Sequence, residues 1–216
     1  TSSIEHKSIL EVFKFYAGKG VDVTFVMPNE KGVIEATAIE SEIKENTVLI
    51  SVMLVNNETG VINEIEDIAK KYNGKILIHV DAVQALGKMY IDFAAYDFIS
   101  LSAHKIYGPK GIGMAIINKK HKPQPLLMGS SDLRNGTIAN ELIIGFTKAI
   151  EIVLKNVEEN IRILEKKESE YIKLMSDNLK IELNFSENKV PGIVSIRIPG
   201  QINNIFLQKN KDVLSA

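Results

Sequence analysis

Two segments, Ile76-Leu77-Ile78-His79-Val80-Asp81 and Asp97-Phe98-Ile99-Ser100-Leu101-Ser102-Ala103-His104-Lys105, decide the fold class of this chain. Each is a short apolar run that leads into polar residues, which is typical of a buried strand in a parallel sheet. Residues 62–72, before the first segment, have the apolar spacing of a helix. Alternating strands and helices predict an α/β fold, in which ligands bind beyond the carboxyl ends of the strands. Asp81 and Lys105 are therefore expected at the same edge of a sheet.

The alternation continues on both sides and predicts a mostly parallel sheet flanked by helices. Apolar spacing, together with breaks at glycine and proline, gives the expected boundaries. Helices are expected over residues 9–16, 34–43 and 62–72, with one long helix over 141–179. Strands are expected over residues 21–27, 47–55, 76–80, 97–101, 111–117, 181–185 and 193–198. Of these strands, 111–117 is the one that could run antiparallel.

An acid and an amine at one sheet edge resemble the site of pyridoxal phosphate (PLP). PLP is an electron sink when an amine holds its aldehyde and its ring nitrogen stays protonated; Lys105 can supply the amine and Asp81 the carboxylate. Gln84, one turn after Asp81, can reach the ring hydroxyl, and Ser102 and His104 can donate hydrogen bonds to the phosphate. Each residue alone fits an ordinary strand end or surface position. Their combination in this order favours a cofactor site.

These segments resemble the cysteine desulfurases of the class V, fold-type I PLP family, over roughly residues 1 to 200. Residues 4–10 resemble the family segment whose histidine stacks on the cofactor ring, which implies that role for His6. Residues 55–60 resemble its asparagine loop, which implies that Asn57 contacts the ring hydroxyl. Residues 133–137 resemble the segment whose threonine reaches the phosphate of the neighbouring subunit's cofactor, which implies a homodimer and that role for Thr137.

Some of these residues could instead have a purely local structural role. A histidine at a helix start, such as His6, is often a capping or surface residue. Asn56 and Asn57 could form a turn, because asparagine favours left-handed backbone and local hydrogen bonds; both interpretations stay open for Asn56.

The resemblance also implies the domain organisation. Residues 1–140 would form the large PLP-binding domain of fold type I, incomplete at its N-terminus. Residues 141–180 would form a long helical connection, and 181–216 part of a smaller α+β C-terminal domain. We expect the chain to be a fragment that lacks the family's N-terminal region and its catalytic cysteine loop.

Composition narrows the function classes. The 216 residues carry 26 Lys and Arg against 27 Asp and Glu, so nothing favours nucleic-acid binding. No apolar run approaches the roughly 20 residues that span a bilayer, and no secretory leader begins the sequence, so we expect a cytoplasmic protein without a membrane partner. The sequence has no cysteine, and its four histidines, at positions 6, 79, 104 and 121, lack zinc-ligand spacing, so no metal site is expected.

The missing cysteine is also the main departure from the family. A desulfurase attacks the sulfur of its substrate with its own thiolate, and this sequence contains none. Residues 128–132 form a shorter, less glycine-rich segment than the family counterpart that reaches toward the neighbouring active site. No arginine of the 216-residue sequence matches the one that binds the substrate carboxylate in the family.

The expected activity is conversion of L-cysteine to L-alanine, with persulfide sulfur delivered to an acceptor or scaffold protein for iron–sulfur cluster or thio-cofactor assembly. In that mechanism Lys105, made reactive by desolvation and neighbouring cations, serves as the base, and His104 or His6 assists proton transfer. The alternatives are another class V enzyme, such as an aminotransferase or a selenocysteine lyase, and a non-catalytic subunit that keeps the fold.

Overall fold

A computed structural model of the chain describes residues 1–125, 129, 135–185 and 187–201. Its helices are Lys7–Ala17 (α1), Ala36–Ser41 (α2), Ile65–Tyr72 (α3), Asn140–Lys155 (α4) and Val157–Asn178 (α5), with 3-10 turns at Phe93–Ala95 and Ala103–Ile106. Its strands are Leu49–Ser51 (β1), Leu77–Asp81 (β2), Phe98–Ser102 (β3), Gly113–Ile117 (β4), Glu182–Leu183 (β5) and Ile196–Arg197 (β6).

The larger sheet has the strand order β1-β2-β3-β4. Strands β1, β2 and β3 run parallel, and β4 runs antiparallel to β3. The predicted α/β class and the antiparallel alternative for residues 111–117 are therefore confirmed. Asp81 lies opposite Ser100 in the register, so the strands that carry Asp81 and Lys105 are direct neighbours.

The main core lies between one face of this sheet and α3. Ile78, Val80 and Ile99 project from the strands, and Ile65 and Ile68 from the helix; all five are buried. The amphipathic spacing of α3 thus has its expected effect, but the helix begins at Ile65 rather than at residue 62. Residue 62 is bridged instead to Val55, which commits it to extended backbone.

The predicted strand over residues 21–27 is wrong. Among the described residues this segment makes a single bridge, between Val26 and Ser2, with hydrogen bonds to the backbone of residues 1 and 3. One paired position does not form a ladder, so the apolar run stays irregular although Val26 is buried. Strand β1 is likewise shorter than predicted: it covers three residues of the expected 47–55.

The predicted long helix is two helices, α4 and α5, which meet at Asn156. The backbone of Asn156 leaves the helical region (φ −120°, ψ 24°), and its side-chain Nδ2 donates to the carbonyl of Ile152 at 2.7 Å. Asparagine favours such local bonds over helix continuation, which explains the break. The strands predicted near residues 181–185 and 193–198 form a separate antiparallel pair, β5 and β6. Residues 202–216 of the expected small domain lie outside the described residues.

None of the helices described here has the length and hydrophobicity needed to cross a membrane.

Candidate active site

Asp81 ends β2 at the carboxyl edge of the parallel strands. It is 8% exposed, and its Oδ1 accepts a hydrogen bond from the backbone N–H of Val83 at 2.9 Å. Burial raises the pKa of the Asp81 carboxyl, while the Val83 N–H and the nearby His6 partly oppose that rise. No described residue donates a hydrogen bond to Oδ2. A buried carboxylate with one uncommitted oxygen is suited to a cationic partner.

The 3-10 turn after β3 brings the second group to the same edge. Ala103 and Ile106 are buried and anchor the turn, which leaves His104 and Lys105 exposed between them. The Ser102 Oγ and the His104 Nδ1 lie 2.8 Å apart and form a hydrogen bond. The desolvation expected for Lys105 is not present, because this side chain faces solvent.

The turn ends at Tyr107, whose backbone is left-handed (φ 63°), and at Gly108. A Cβ at Gly108 would lie 2.9 Å from the carbonyl oxygen of Ala103, to which the Gly108 N–H donates at 2.9 Å. A side chain there would force this turn open. The glycine therefore has a structural role, because it fixes the loop that follows Lys105.

A compact turn after Asp81 carries Gln84. The N–H groups of Ala85 and Leu86 both donate to the Ala82 carbonyl, and Gln84 is buried. The Lys88 Nζ donates to the Gln84 Oε1 at 2.7 Å and to the Gln84 backbone carbonyl at 3.2 Å. Burial, and then the charge of Lys105, lower the pKa of Lys88 to about 8.

Sequence reasoning gave Lys88 no role in the site. The available signal was its position four residues after Gln84, a spacing at which side chains meet on a helical turn. Helix α4 packs over the same turn: Gly87 has φ +79°, and a Cβ there would lie 2.9 Å from the Cγ2 of Val153.

His6 is the N-cap of α1. Its Nδ1 accepts from the Ser8 N–H at 3.2 Å and lies 2.7 Å from the Ser8 Oγ. The ring is exposed, and His6 acts electrostatically on Asp81. The capping role is therefore present, and the same residue also lies near the Asp81 carboxylate.

The two asparagines of the predicted loop have different surroundings. Asn56 is buried: its Oδ1 accepts from the N–H groups of Glu58 and Thr59, and its Nδ2 donates to the Ile4 carbonyl. Asn56 is thus a structural residue of the turn. Asn57 lines a cleft of about 500 Å³ together with His6 and Glu5. The sequence alone could not assign different roles to Asn56 and Asn57, because the groups that surround them are distant in the chain or depend on how the loop folds.

Glu5 is a buried acid that sequence reasoning missed. It is 5% exposed; its Oε1 accepts from the Ser2 hydroxyl and from the Met53 N–H, the latter at 2.9 Å. Its Oε2 is buried and has no hydrogen-bond partner within the described part of the chain. Burial, opposed by these hydrogen bonds and reinforced by Asp81, raises the pKa of Glu5 to about 7. Two acids thus share this region, and the Glu5 carboxyl is the one pushed toward its neutral form.

His79 connects three strands beneath the site. Its Nδ1 lies 2.7 Å from the Ser51 Oγ on β1, and its Nε2 lies 2.9 Å from the Ser100 Oγ on β3. Burial lowers the pKa of His79 to about 4. Both ring nitrogens are already bonded, so this histidine stabilises the sheet rather than serving as a ligand.

The structure thus collects Asp81, Gln84 and the segment 102–105 at one edge, with His6 close to Asp81. Thr137 is exposed in the segment before α4, and its expected contact with a neighbouring subunit stays a prediction. Residues 128 and 130–134, which include most of the shortened segment and Arg134, lie outside the described residues.

Helices flank a parallel sheet whose adjacent strands end in a buried acid and in a turn that carries a lysine, which defines an α/β protein with a candidate ligand site at the strand ends. The chain belongs to the aminotransferase class-V family, whose model matches residues 1–209. Enzymes of this family and the cysteine desulfurases in it use PLP.

Individual relatives are similar over nearly the whole chain. The mitosomal cysteine desulfurase of Encephalitozoon cuniculi is 36% identical over 99% of this chain and 51% of its own length. Among solved structures, a NifS-like protein superposes with a TM-score of 0.88 at 32% identity, over 98% of this chain and 60% of that chain. SspA in complex with cysteine gives a TM-score of 0.81 at 32% identity, with the same coverage of both chains. The chain spans about half the length of the curated relatives it matches.

The residues present fit PLP on structural grounds. Asp81 is buried with one oxygen uncommitted, which suits a protonated ring nitrogen. Lys105 offers a solvent-accessible amine on the adjacent strand end, and Ser102 and His104 offer hydrogen-bond donors beside it.

Proposed function

We propose that the protein to which this chain belongs is a PLP-dependent cysteine desulfurase that converts L-cysteine to L-alanine and passes the sulfur to an acceptor protein. The observation that carries the proposal is the pair of adjacent parallel strand ends with Asp81 and Gln84 on one and Lys105 on the other. The names of the relatives and the cysteine in the SspA structure support the substrate.

Each residue has a proposed role in holding the cofactor. Lys105 binds the aldehyde carbon, Asp81 pairs with the ring nitrogen, and Gln84 and Asn57 bond the ring hydroxyl. Ser102 and His104 bind the phosphate, His6 lies against the ring face, and Thr137 reaches the phosphate of a partner subunit's cofactor. PLP bound there would supply an electron sink for cleavage of bonds at the substrate α-carbon.

The chain's own groups would also move protons. The Lys105 amine would serve as the base near the substrate α-carbon, and exposed His104 or His6 would assist the transfer. Sulfur abstraction needs a thiolate from outside these 216 residues, since they contain no cysteine.

The wider organisation belongs to the same proposal. Residues 1–140 are the large domain, 141–180 the helical connection and 181–216 part of the small domain; the separate β5–β6 sheet supports this division. We further propose that the protein forms a homodimer, that it delivers sulfur for iron–sulfur cluster assembly, and that it is located in the cytoplasm. Because the Encephalitozoon cuniculi relative is mitosomal, the location needs its own test, by imaging of the tagged protein.

A second candidate is a class V aminotransferase or a selenocysteine lyase. The family model that matches residues 1–209 is that of the class-V aminotransferases, which supports this candidate. All three activities would use Asp81, Gln84 and Lys105 in the same way, so the products formed in the presence of a thiol reductant distinguish them: alanine with sulfide, alanine with selenide, or a keto acid.

The test begins with the cofactor. The intact protein is incubated with PLP, reduced with borohydride and mapped by peptide mass spectrometry, with Lys105→Ala and the exposed-surface variant Lys71→Met as matched controls. We expect a visible absorbance band and a label on Lys105 in the wild type and in Lys71→Met, but not in Lys105→Ala. A label on Lys88 instead, or no label on folded intact protein, contradicts the assignment. Formation of alanine from cysteine, with sulfide released by an added thiol reductant, then tests the reaction.

A further inference from the structure

Lys88 has two features that the proposed roles do not use. Its Nζ makes two hydrogen bonds to one residue, Gln84, through the side-chain Oε1 (2.7 Å) and the backbone carbonyl (3.2 Å). It is also half-buried beside a second lysine, Lys105, although a lysine side chain is normally well solvated.

An ammonium group has three donors and no acceptor, so the atom of a side-chain amide that faces it must be the oxygen. The Lys88 ammonium therefore fixes the orientation of the Gln84 side-chain amide. The oxygen is held toward Lys88, and the two N–H donors of Nε2 are left for another acceptor. Among the described residues Nε2 has no acceptor.

We propose that Lys88 is a positioning residue that locks the Gln84 amide so that Gln84 presents N–H donors, not its carbonyl oxygen, to the ring oxygen of PLP. This rests on the proposed function, because the ring oxygen is the acceptor. Without the lock, rotation of the amide by 180° would present the carbonyl oxygen to an anionic ring oxygen, which repels it.

The electrostatic surroundings make the lock sensitive to pH. Within the described part of the chain, the charged group that acts on Lys88 is Lys105 on the neighbouring turn, and this charge adds to burial in bringing the pKa of Lys88 to about 8. Above that pH a neutral amine can accept as well as donate, so it no longer discriminates between the two ends of the amide.

The decisive experiment is a double-mutant cycle on PLP affinity in the intact protein, with Lys88→Met, Gln84→Ala and the double variant. Loss of an oriented hydrogen bond should weaken PLP binding about five- to tenfold in Lys88→Met. In the Gln84→Ala background, Lys88→Met should change the PLP dissociation constant less than about twofold, because its effect passes through Gln84. Lys71→Met is the control lysine substitution and should leave the constant unchanged.

Equal effects of Lys88→Met in both backgrounds, or none in the wild-type background, would overturn the proposal. A measurement without variants guards against misfolding: the side-chain amide NMR signals of Gln84, followed by pH in cofactor-free protein. These should shift with an apparent pKa near that of Lys88, about 8. Constant signals across that range would overturn the pH dependence of the lock, whereas the double-mutant cycle decides whether the lock exists. Failure of the proposed function is separate, since that would leave the wild type without PLP on Lys105.

Discussion

Two aspartates at opposite ends of the parallel strands are almost equally buried yet have opposite electrostatics. Asp81, at the carboxyl end of β2, is 8% exposed and uses one oxygen for a single backbone N–H. Asp97, just before β3, is 5% exposed; its Oδ2 accepts from the Ile78 N–H, and its Oδ1 from His121 and Lys120 at 2.7 and 2.8 Å. Burial raises the pKa of both carboxyls, but at Asp97 the hydrogen bonds from Lys120, His121 and the Ile78 N–H, together with the Lys120 charge, outweigh it and the net pKa is lowered.

The difference separates a structural carboxylate from one that is available for a ligand. Asp97 obtains its compensating charge from the chain itself, and His121 is further held by stacking on Phe98. Asp81 has no cationic hydrogen-bond partner among the described residues, so the Val83 N–H and nearby His6 offset its desolvation only in part, and a bound cation would offset the rest. Buried polar groups whose partners are incomplete are therefore the best guide to the site, and the following predictions test that rule.

The largest effect is expected for Asp81→Asn. Replacing the carboxylate removes the charge that would hold a ring nitrogen protonated, so turnover of cysteine should fall on the order of 10²-fold or more. Stability should not fall, because the ionised Asp81 is destabilised by burial. Steady-state kinetics and urea unfolding measure the two. If Asp81→Asn lost stability but kept its turnover, Asp81 would be a structural residue and the prediction would be wrong.

Asp97→Ala should lower the stability of the protein and leave its binding of PLP unchanged. It leaves the buried Ile78 N–H without its acceptor and Lys120 without its partner, so the free energy of unfolding should fall by about 3 kcal/mol. PLP affinity of the folded fraction should remain unchanged. Denaturant unfolding measured beside the PLP dissociation constant checks this, and a specific loss of PLP binding would count against it.

Glu5 and His79 extend the comparison to pH. Between about pH 4.5 and 7 native Glu5 holds a proton that unfolded Glu5 releases, so its contribution to stability falls as pH rises. Between about pH 4 and 6.5 unfolded His79 takes up a proton that native His79 does not, so its contribution rises with pH. Each contribution is on the order of 3 kcal/mol, and they oppose one another in the wild type.

Single variants should reveal each contribution. Stability of Glu5→Gln should rise with pH from 4 to 6.5, and stability of His79→Gln should fall from pH 4.5 to 7. Urea unfolding at several pH values measures both slopes. Identical pH profiles for the wild type and both variants would show that neither group has a shifted pKa.

The smallest effect is expected in the asparagine loop. Asn56→Ala removes the acceptor of the Glu58 and Thr59 N–H groups and should cost about 1–2 kcal/mol of stability. Asn57→Ala should change stability by less than about 0.5 kcal/mol, because Asn57 lines the open cleft, and should weaken PLP binding instead. Thermal unfolding and PLP titration of Asn56→Ala and Asn57→Ala measure the two effects. Lost stability in Asn57→Ala, with weakened PLP binding in Asn56→Ala instead, would contradict the assigned roles.

Much of the framework followed from local pattern. The alternation of apolar runs and amphipathic segments located β2, β3, β4 and α3, because strands and helices bury their apolar faces with different periods. The pattern did not predict the break at Asn156 or the irregular backbone of residues 21–27. A helix break can depend on the hydrogen bond that a single side chain makes. A strand requires a partner strand that is distant in the sequence, so a short stretch of sequence does not reveal it.

The sequence by itself determined the chemistry that the site can offer: an acid and an amine at the ends of successive buried strands, with Gln84, Ser102 and His104 beside them. Only the tertiary structure decided which polar groups are already satisfied. It paired Asp97 with His121, joined Lys88 to Gln84 and buried Glu5 against Met53, 48 residues away. Burial and hydrogen-bond partners are set by the packing of distant segments, and these determine which acids carry charge and which face of an amide is presented.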